Sequence, residues 1–330
     1  MDVSSWTIFR GEGTPHDGLG RLPEPPPWRL GGKAKPVGAR PGYLDLGAEG
    51  PRATAFLPTP EMIRAVNAAL YLRRPLLLTG KPGTGKSTLI SKVSHELKMG
   101  SVLRWPITSR ATVRGGAYIY DAVGRLQAGK GEAPPVEDYL TLGPLGTALA
   151  ASDWPRALLI DEIDKSDLDF ANDLLNVIEE GTFEIPELQR LGQSTVMVRD
   201  SDGRSTVIED GRLDGGQFPF VVMTSNGERE FPAPFLRRCV RINVQAPDRA
   251  KLAQIVEAHL AHLTKDRQKR VEALVDEFEE QRREKDLSTD QLLNAVFLTV
   301  ALDDGERTFA DGEREELRDA LFQQNSGAGS

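Results

Sequence analysis

Residues 75–90 read PLLLTGKPGTGKSTLI. Leu76, Leu77 and Leu78 make a short apolar run of strand type behind Pro75, and a glycine loop then opens a helix near Lys86. From Gly80 to Ser87 the loop follows G-x-x-x-x-G-K-S, in the strand–loop–helix setting that a phosphate-cradling loop requires. Each residue type has a physical reason to be there. Gly80, Gly83 and Gly85 let the backbone turn its N–H groups toward a polyphosphate without Cβ clashes. The helix start behind them favours an anion. Lys86 brings a point charge to β/γ-phosphates, and the Ser87 hydroxyl can ligate Mg²⁺. An ordinary strand–turn–helix with a chance glycine loop does not account for the whole pattern. The stretch implies a bound nucleoside triphosphate.

Three further stretches extend the same chemistry. RALLIDEID, residues 156–164, is a buried strand that ends in acids. Asp161 there can hold Mg²⁺ through water while Glu162 polarises the attacking water. FPFVVMTSN, residues 218–226, is a strand whose last polar residue, Asn226, is placed to position that water. Thr224 and Ser225 are its neighbours, and the plainer reading is that Ser-Asn begins a turn. PAPFLRRC, residues 232–239, carries Arg237 and Arg238 just ahead of a strand at 240–244. Such a pair either reaches a neighbouring subunit's γ-phosphate or makes local salt bridges.

Around these runs the organisation is uneven. Residues 1–52 are rich in Pro and Gly without helical period, yet Trp6, Ile8, Phe9, Trp28 and Leu30 are too apolar for a solvated tail. The segment reads as an arm lying on the body or on a neighbouring subunit. Residues 60–72 put Met62, Ile63, Val66, Ala69 and Leu70 on one helical stripe. After a strand at 101–107, residues 108–148 form an insert of helix or hairpin type, then a helix; within it Tyr118 and Tyr120 either grip a substrate in a pore or pack one side of a hairpin. A helix at 168–180 stops at Gly181, and two β-rich arms at 195–208 flank Asp202-Gly203 as a hairpin. Pro247-Asp248 marks a boundary, beyond which helices are expected at 249–263, 265–284, 288–302 and 312–322, before a tail at 323–330.

Composition limits the setting. With 41 Lys and Arg against 49 Asp and Glu, the net charge of −8 offers nucleic acid no global attraction. The lone Cys239 excludes an intramolecular disulfide and fits a reducing compartment. With no signal-type apolar region and no apolar run of membrane-spanning length, a cytoplasmic protein without membrane partners is expected. His16, His95, His259 and His262 lack metal-ligand spacing. Cys239 beside arginines is either a lowered-pKa thiol or a packed strand-edge residue.

GKPGTGKS, LLIDEID, VVMTSN and PAPFLRR, in that order and followed by helices, resemble the AAA+ ATPases over about residues 54–321. The long insert, and the hairpin before the Asn226 strand, look like the MoxR branch within the clade bearing a pre-sensor-1 hairpin. WPITSR, YDAVGRL and LGPLG are similar to MoxR-type proteins of bacterial conflict or signalling systems, where von Willebrand factor A domain proteins accompany them.

The resemblance implies an α/β P-loop core at 53–246, with a mostly parallel five-stranded sheet in the order 5-1-4-3-2, and an α-helical lid at 247–322. It implies ATP and Mg²⁺ as ligands and a homo-oligomeric, hexameric ring. A protein client, or a von Willebrand factor A domain partner, would be remodelled by it. Gly80, Pro82, Gly83, Thr84, Gly85, Lys86, Ser87 and Thr88 would bind nucleotide; Ser87 and Asp161 would hold the metal. Glu162, Asn226 and Arg238, with Arg237 behind it, would serve hydrolysis. One departure stands out: where the family often has a sensor-2 arginine, this chain has Leu287-Ser288-Thr289-Asp290. Two rival readings follow, a nucleic-acid motor (relatives with this hairpin include helicases) and a non-catalytic nucleotide-gated module.

Overall fold

Five short apolar runs form one parallel sheet: β1 (Leu76–Thr79), β2 (Leu103–Pro106), β3 (Ala157–Asp161), β4 (Phe220–Ser225) and β5 (Val240–Asn243). The computed structural model describes residues 6–29, 49–129, 134–150, 154–264, 267–283, 285, 287–298 and 316. The sheet runs β5-β1-β4-β3-β2 with every neighbouring pair parallel, the order expected. A parallel sheet covered on both faces needs apolar residues throughout, and β4 is buried at all six positions. Registry brings Thr79 level with Ser225 and Asn243, and Pro106 level with Asp161. Asp161, Glu162 and Asn226 thus share the carboxyl edge, where open α/β sheets bind ligands, whereas Arg237 and Arg238 precede β5 at its amino end.

Alternation along the strands feeds two cores. Leu77, Leu158, Ile160, Val221 and Met223 face one cluster, which includes Trp105, Leu174 and Phe235. Leu76, Leu78, Leu159, Val222 and Ile242 face the other, with Leu89, Ile90 and Val93 of the P-loop helix (Lys86–Glu96).

The N-terminal arm belongs to this second core. Ile8 and Phe9 are fully buried in it, each worth about 1.5–3 kcal/mol of apolar burial. Backbone N–H groups of Ile8 and Phe9 donate to Asn67 Oδ1 at 2.7 and 3.0 Å. Those of Gly11 and Gly13 donate to the buried Glu96 carboxylate at 3.1 and 2.8 Å, so both the arm and the carboxylate are satisfied by one arrangement. Trp6 packs edge-on against Tyr71, whereas Trp28 is exposed. Leu30, the helix at 312–322 apart from Glu316, and the tail at 323–330 lie outside the described residues.

A second sheet joins two strands of the insert to residues 182–214. Tyr118–Tyr120, Leu140–Leu142, Thr182–Glu184, Thr195–Arg199, Ser205–Glu209 and Arg212–Asp214 are its six strands. The hairpin at Asp202-Gly203 is present, with Asp200 Oδ1 accepting from the N–H groups of Asp202 and Arg204 and Gly203 at φ +75°. Its tip is tied to the base of β3 by buried Arg156, which meets Asp202 Oδ2 at 2.7 Å. The pore reading of the tyrosines is overturned for Tyr118: it is buried and donates to Glu187 Oε2 at 2.6 Å. Burial pushes its hydroxyl pKa up to about 12. Tyr120 is half-buried and accepts from Arg125, leaving Ile119 as the exposed residue of that strand.

Beyond β5, helices Arg249–Thr264, Gln268–Gln281 and Thr289–Val296 enclose a separate cluster around Leu252, Val275, Phe278 and Leu292. Among the described residues no helix is long and apolar enough to cross a membrane.

Candidate nucleotide site

The loop after β1 is built from left-handed glycines, Gly83 at φ +73° and Gly85 at +85°, with Gly80 at +146°. A Cβ at Gly80 would lie 2.4 Å from Val244 O, so the end of β5 also demands glycine there. Thr84 Oγ1 donates to Lys81 O at 2.9 Å across the turn, Pro82 is exposed, and Thr88 N donates to Gly85 O at 3.1 Å as the helix starts.

Lys86 is 6% exposed, and its Nζ donates to Gly80 O, Lys81 O and Asn226 Oδ1 at 2.6, 2.8 and 2.9 Å. All three acceptors are neutral, and among the described residues no carboxylate sits at bonding distance to cancel the ammonium. Burial lowers its pKa, opposed by the nearby charges of Asp161, Asp164 and Glu162.

The end of β3 meets this cation. Ser87 Oγ donates to Asp161 Oδ1 at 2.8 Å, and Thr224 donates to the same oxygen. Thr224 Oγ1 also accepts from Glu162 N at 2.9 Å. That bond fixes Glu162 at φ +59°, a left-handed conformation that costs a non-glycine residue on the order of 1–3 kcal/mol. Glu162 Oε2 pairs with Lys165 at 2.6 Å, and this hydrogen bond is the main cause of the raised Lys165 pKa. Glu162 Oε1 accepts from Asn226 Nδ2 at 3.3 Å. The Asn226 amide therefore lies between opposite charges, oxygen toward Lys86 and nitrogen toward Glu162. Its backbone is held as well: the N–H groups of Asn226 and Glu228 both donate to Asp164 Oδ2, at 2.9 and 3.0 Å.

Sequence reading did not give Asp164 and Thr224 these positions. Asp164 is the last acid of the DEID run and Thr224 the first polar residue of β4, signals that spacing alone does not separate from turn chemistry.

Arg238 closes the helix Ala233–Arg238 and bonds outside this cluster. Its Nε donates to Glu179 Oε2 and its Nη2 to Asn176 Oδ1, both at 2.8 Å. Arg237 is exposed, and its carbonyl accepts from Arg74 at 3.3 Å. Cys239 beside them is packed in the first core, and burial pushes its thiol up to about 12.

The third helix after β5 covers the loop. Ser288 begins it with a capping box to Gln291, and a Cβ at Gly83 would stand 2.2 Å from Ser288 Cβ. Asp290 accepts from Asn294 one turn on, at 3.3 Å.

Ser87 and Asp161 supply a hydroxyl and a carboxylate side by side at the loop's helix end. That set fits Mg²⁺, which takes one or two protein oxygens beside substrate phosphates. Among the described residues no cluster of three His, Cys, Asp or Glu could hold a metal unaided.

Residues 75–238 match the family model of the AAA domain, dynein-related subfamily, so the nucleotide-binding core is similar to that family. No curated protein matches the chain. Among solved structures, a chain in a closed-state cryo-EM reconstruction of Hsp104 with ATPyS and FITC casein is 17% identical, with a TM-score of 0.32. The alignment covers 62% of this chain and 36% of that one, little more than a third of its length.

Proposed function

We propose that this chain is a P-loop ATPase of AAA+ type that binds and hydrolyses Mg-ATP between subunits of a homo-oligomeric, hexameric ring. The observation carrying this reading is the convergence of Lys86, Ser87, Asp161, Glu162 and Asn226 on one edge of the sheet. Lys86 and the loop amides hold the phosphates. Ser87 and Asp161 would hold Mg²⁺, which when bound neutralises charge on the β/γ oxygens. Glu162 orients the attacking water, with Asn226 fixing the carboxylate. Arg238 of the adjacent subunit then meets the charge that develops on the transferred phosphoryl.

The output is conformational. The Ser288 helix lies on Gly83, so the lid's position is coupled to the loop that holds the phosphates. A protein client, in a MoxR-type setting a von Willebrand factor A domain partner, is remodelled in the cytoplasm. The pre-sensor hairpin at Thr195–Glu209 supports the MoxR-type placement, and the acidic charge speaks against a nucleic-acid motor.

Glu162→Gln tests the chemistry. The variant is expected to bind ATP with wild-type affinity and to lose turnover by about 10²–10⁴-fold. Wild-type phosphate release would overturn the role of Glu162.

A further inference from the structure

Glu179, near the end of the helix Leu168–Glu180, sits between two guanidinium groups from opposite ends of the sequence. Arg238 engages Oε2 through Nε and Nη2, while Arg29 of the N-terminal arm meets Oε1 at 2.8 Å. Arg29 is well buried, its side chain 7% exposed against 25% for Glu179. Glu179 is kept ionised by this pairing: burial pushes its carboxyl up, but the bonds from the two arginines outweigh that and leave it below its ordinary value.

The arrangement solves an electrostatic difficulty. A guanidinium held by one carboxylate is oriented but neutralised, which wastes it as a partner for phosphate. With Arg29 on the other oxygen, the trio carries one net positive charge. Arg238 commits Nε and Nη2 inward to Glu179 and Asn176, and among the described residues Nη1 has no bonded partner. A fixed plane with one uncommitted nitrogen and a surviving charge is a preorganised donor for an anion outside this subunit.

We propose that Glu179 and Arg29 are positioning residues for Arg238: Glu179 fixes its plane, and the N-terminal arm, through Arg29, restores the positive charge that pairing would remove. This rests on the reading of Arg238 as a residue acting in the next subunit's site. The arm is thereby part of the hydrolytic assembly of its neighbour.

The experiment uses full-length protein carrying Arg29→Ala, Arg29→Lys, Glu179→Gln, Arg238→Ala or Lys86→Ala, with ATP turnover and ATP binding measured on each. Arg29→Ala and Glu179→Gln are expected to lose turnover by about 10–10²-fold, as a misplaced catalytic group does, with ATP binding unchanged. Arg29→Lys is expected to recover most of the rate, because it returns the charge. Mixing is the readout that a structural role would not move. Arg29→Ala subunits keep their own loop, so they should regain turnover beside Lys86→Ala subunits, which lend an intact Arg238. No gain on mixing, or Arg29→Lys as slow as Arg29→Ala, would overturn the proposal. Wild-type rates in Arg29→Ala and Glu179→Gln beside a dead Arg238→Ala would also overturn it, leaving the reading of Arg238 intact. Full activity in unmixed Arg238→Ala would instead remove that reading itself.

Discussion

Lys86 and Arg238 are the two cations on which the proposed chemistry turns, and the fold holds them in opposite ways. Lys86 is buried and bonded by two carbonyls and an amide oxygen, all from its own subunit and all neutral. Arg238 is half-exposed and held by a carboxylate. In the proposed reading the lysine needs no countercharge from the protein, because phosphate is its partner. The arginine precedes β5 at the amino edge of the sheet, opposite its own loop, so in that reading it is aimed at the next subunit's site. Aiming requires a strong partner, and a strong partner costs charge unless another cation restores it.

The largest effects should separate the two. Lys86→Ala and Arg238→Ala are each expected to slow turnover by about 10³-fold or more. Only Lys86→Ala should also abolish ATP binding, read by titration with a fluorescent nucleotide. Mixed in one assembly, the two variants should complement, since each carries what the other lacks. A mixed assembly as inactive as its parents would erase the distinction between a cation used at home and one used next door.

The half of this comparison that was legible in the sequence is the local half. Gly80 to Ser87, Asp161 and Glu162 follow one another on strand ends, where chain order and spacing carry the chemistry, and the sheet order followed from the resemblance they supported. Asn226 was legible for the same reason. Contacts between distant segments were not. Arg29 and Glu179 are 150 positions apart, and nothing in a Pro-rich arm announces that one arginine will be buried against a helix end. Glu96, buried where backbone amides of the arm bind it, likewise depends on a contact between distant segments. The second sheet escaped because strands such as Thr182–Glu184 are three residues long, too short for alternation to register. Tyr118 and Tyr120 were ambiguous because an i, i+2 pair only says that two rings share a face; packing decided which face.

A smaller effect should sharpen the contact between lid and loop. Gly83 and Gly203 have nearly the same φ, +73° and +75°, but a Cβ at Gly83 would strike Ser288 at 2.2 Å whereas at Gly203 it would meet nothing within 4 Å. Both alanine variants carry the left-handed strain, about 1–2 kcal/mol. Only Gly83→Ala must also displace the lid from the phosphate loop. It is expected to weaken ATP binding by about tenfold or more, while Gly203→Ala binds normally and shows a lower unfolding midpoint alone. Equal affinities would mean that the lid helix can move off the loop without affecting the nucleotide.

The smallest effect probes the Arg238 cluster through protons. Because the two arginines hold the Glu179 carboxyl below its ordinary value in the folded chain, the unfolded chain takes up a proton first as the solution is acidified. The pairing therefore stabilises the fold fully above the ordinary carboxylate range, and that contribution is lost as pH falls through the depressed value. Glu179→Gln has no such proton to gain. Between about pH 7 and about pH 3, the stability of the variant should fall with a shallower slope than the wild type, by up to about one proton in the acid limb. Urea unfolding across that interval measures it. The Lys86 cluster makes no such demand, since its bonded acceptors are two carbonyls and an amide that do not titrate. Parallel acid limbs in wild type and Glu179→Gln would mean that Arg238 is not charge-locked, and the contrast between the two cations would reduce to one of burial.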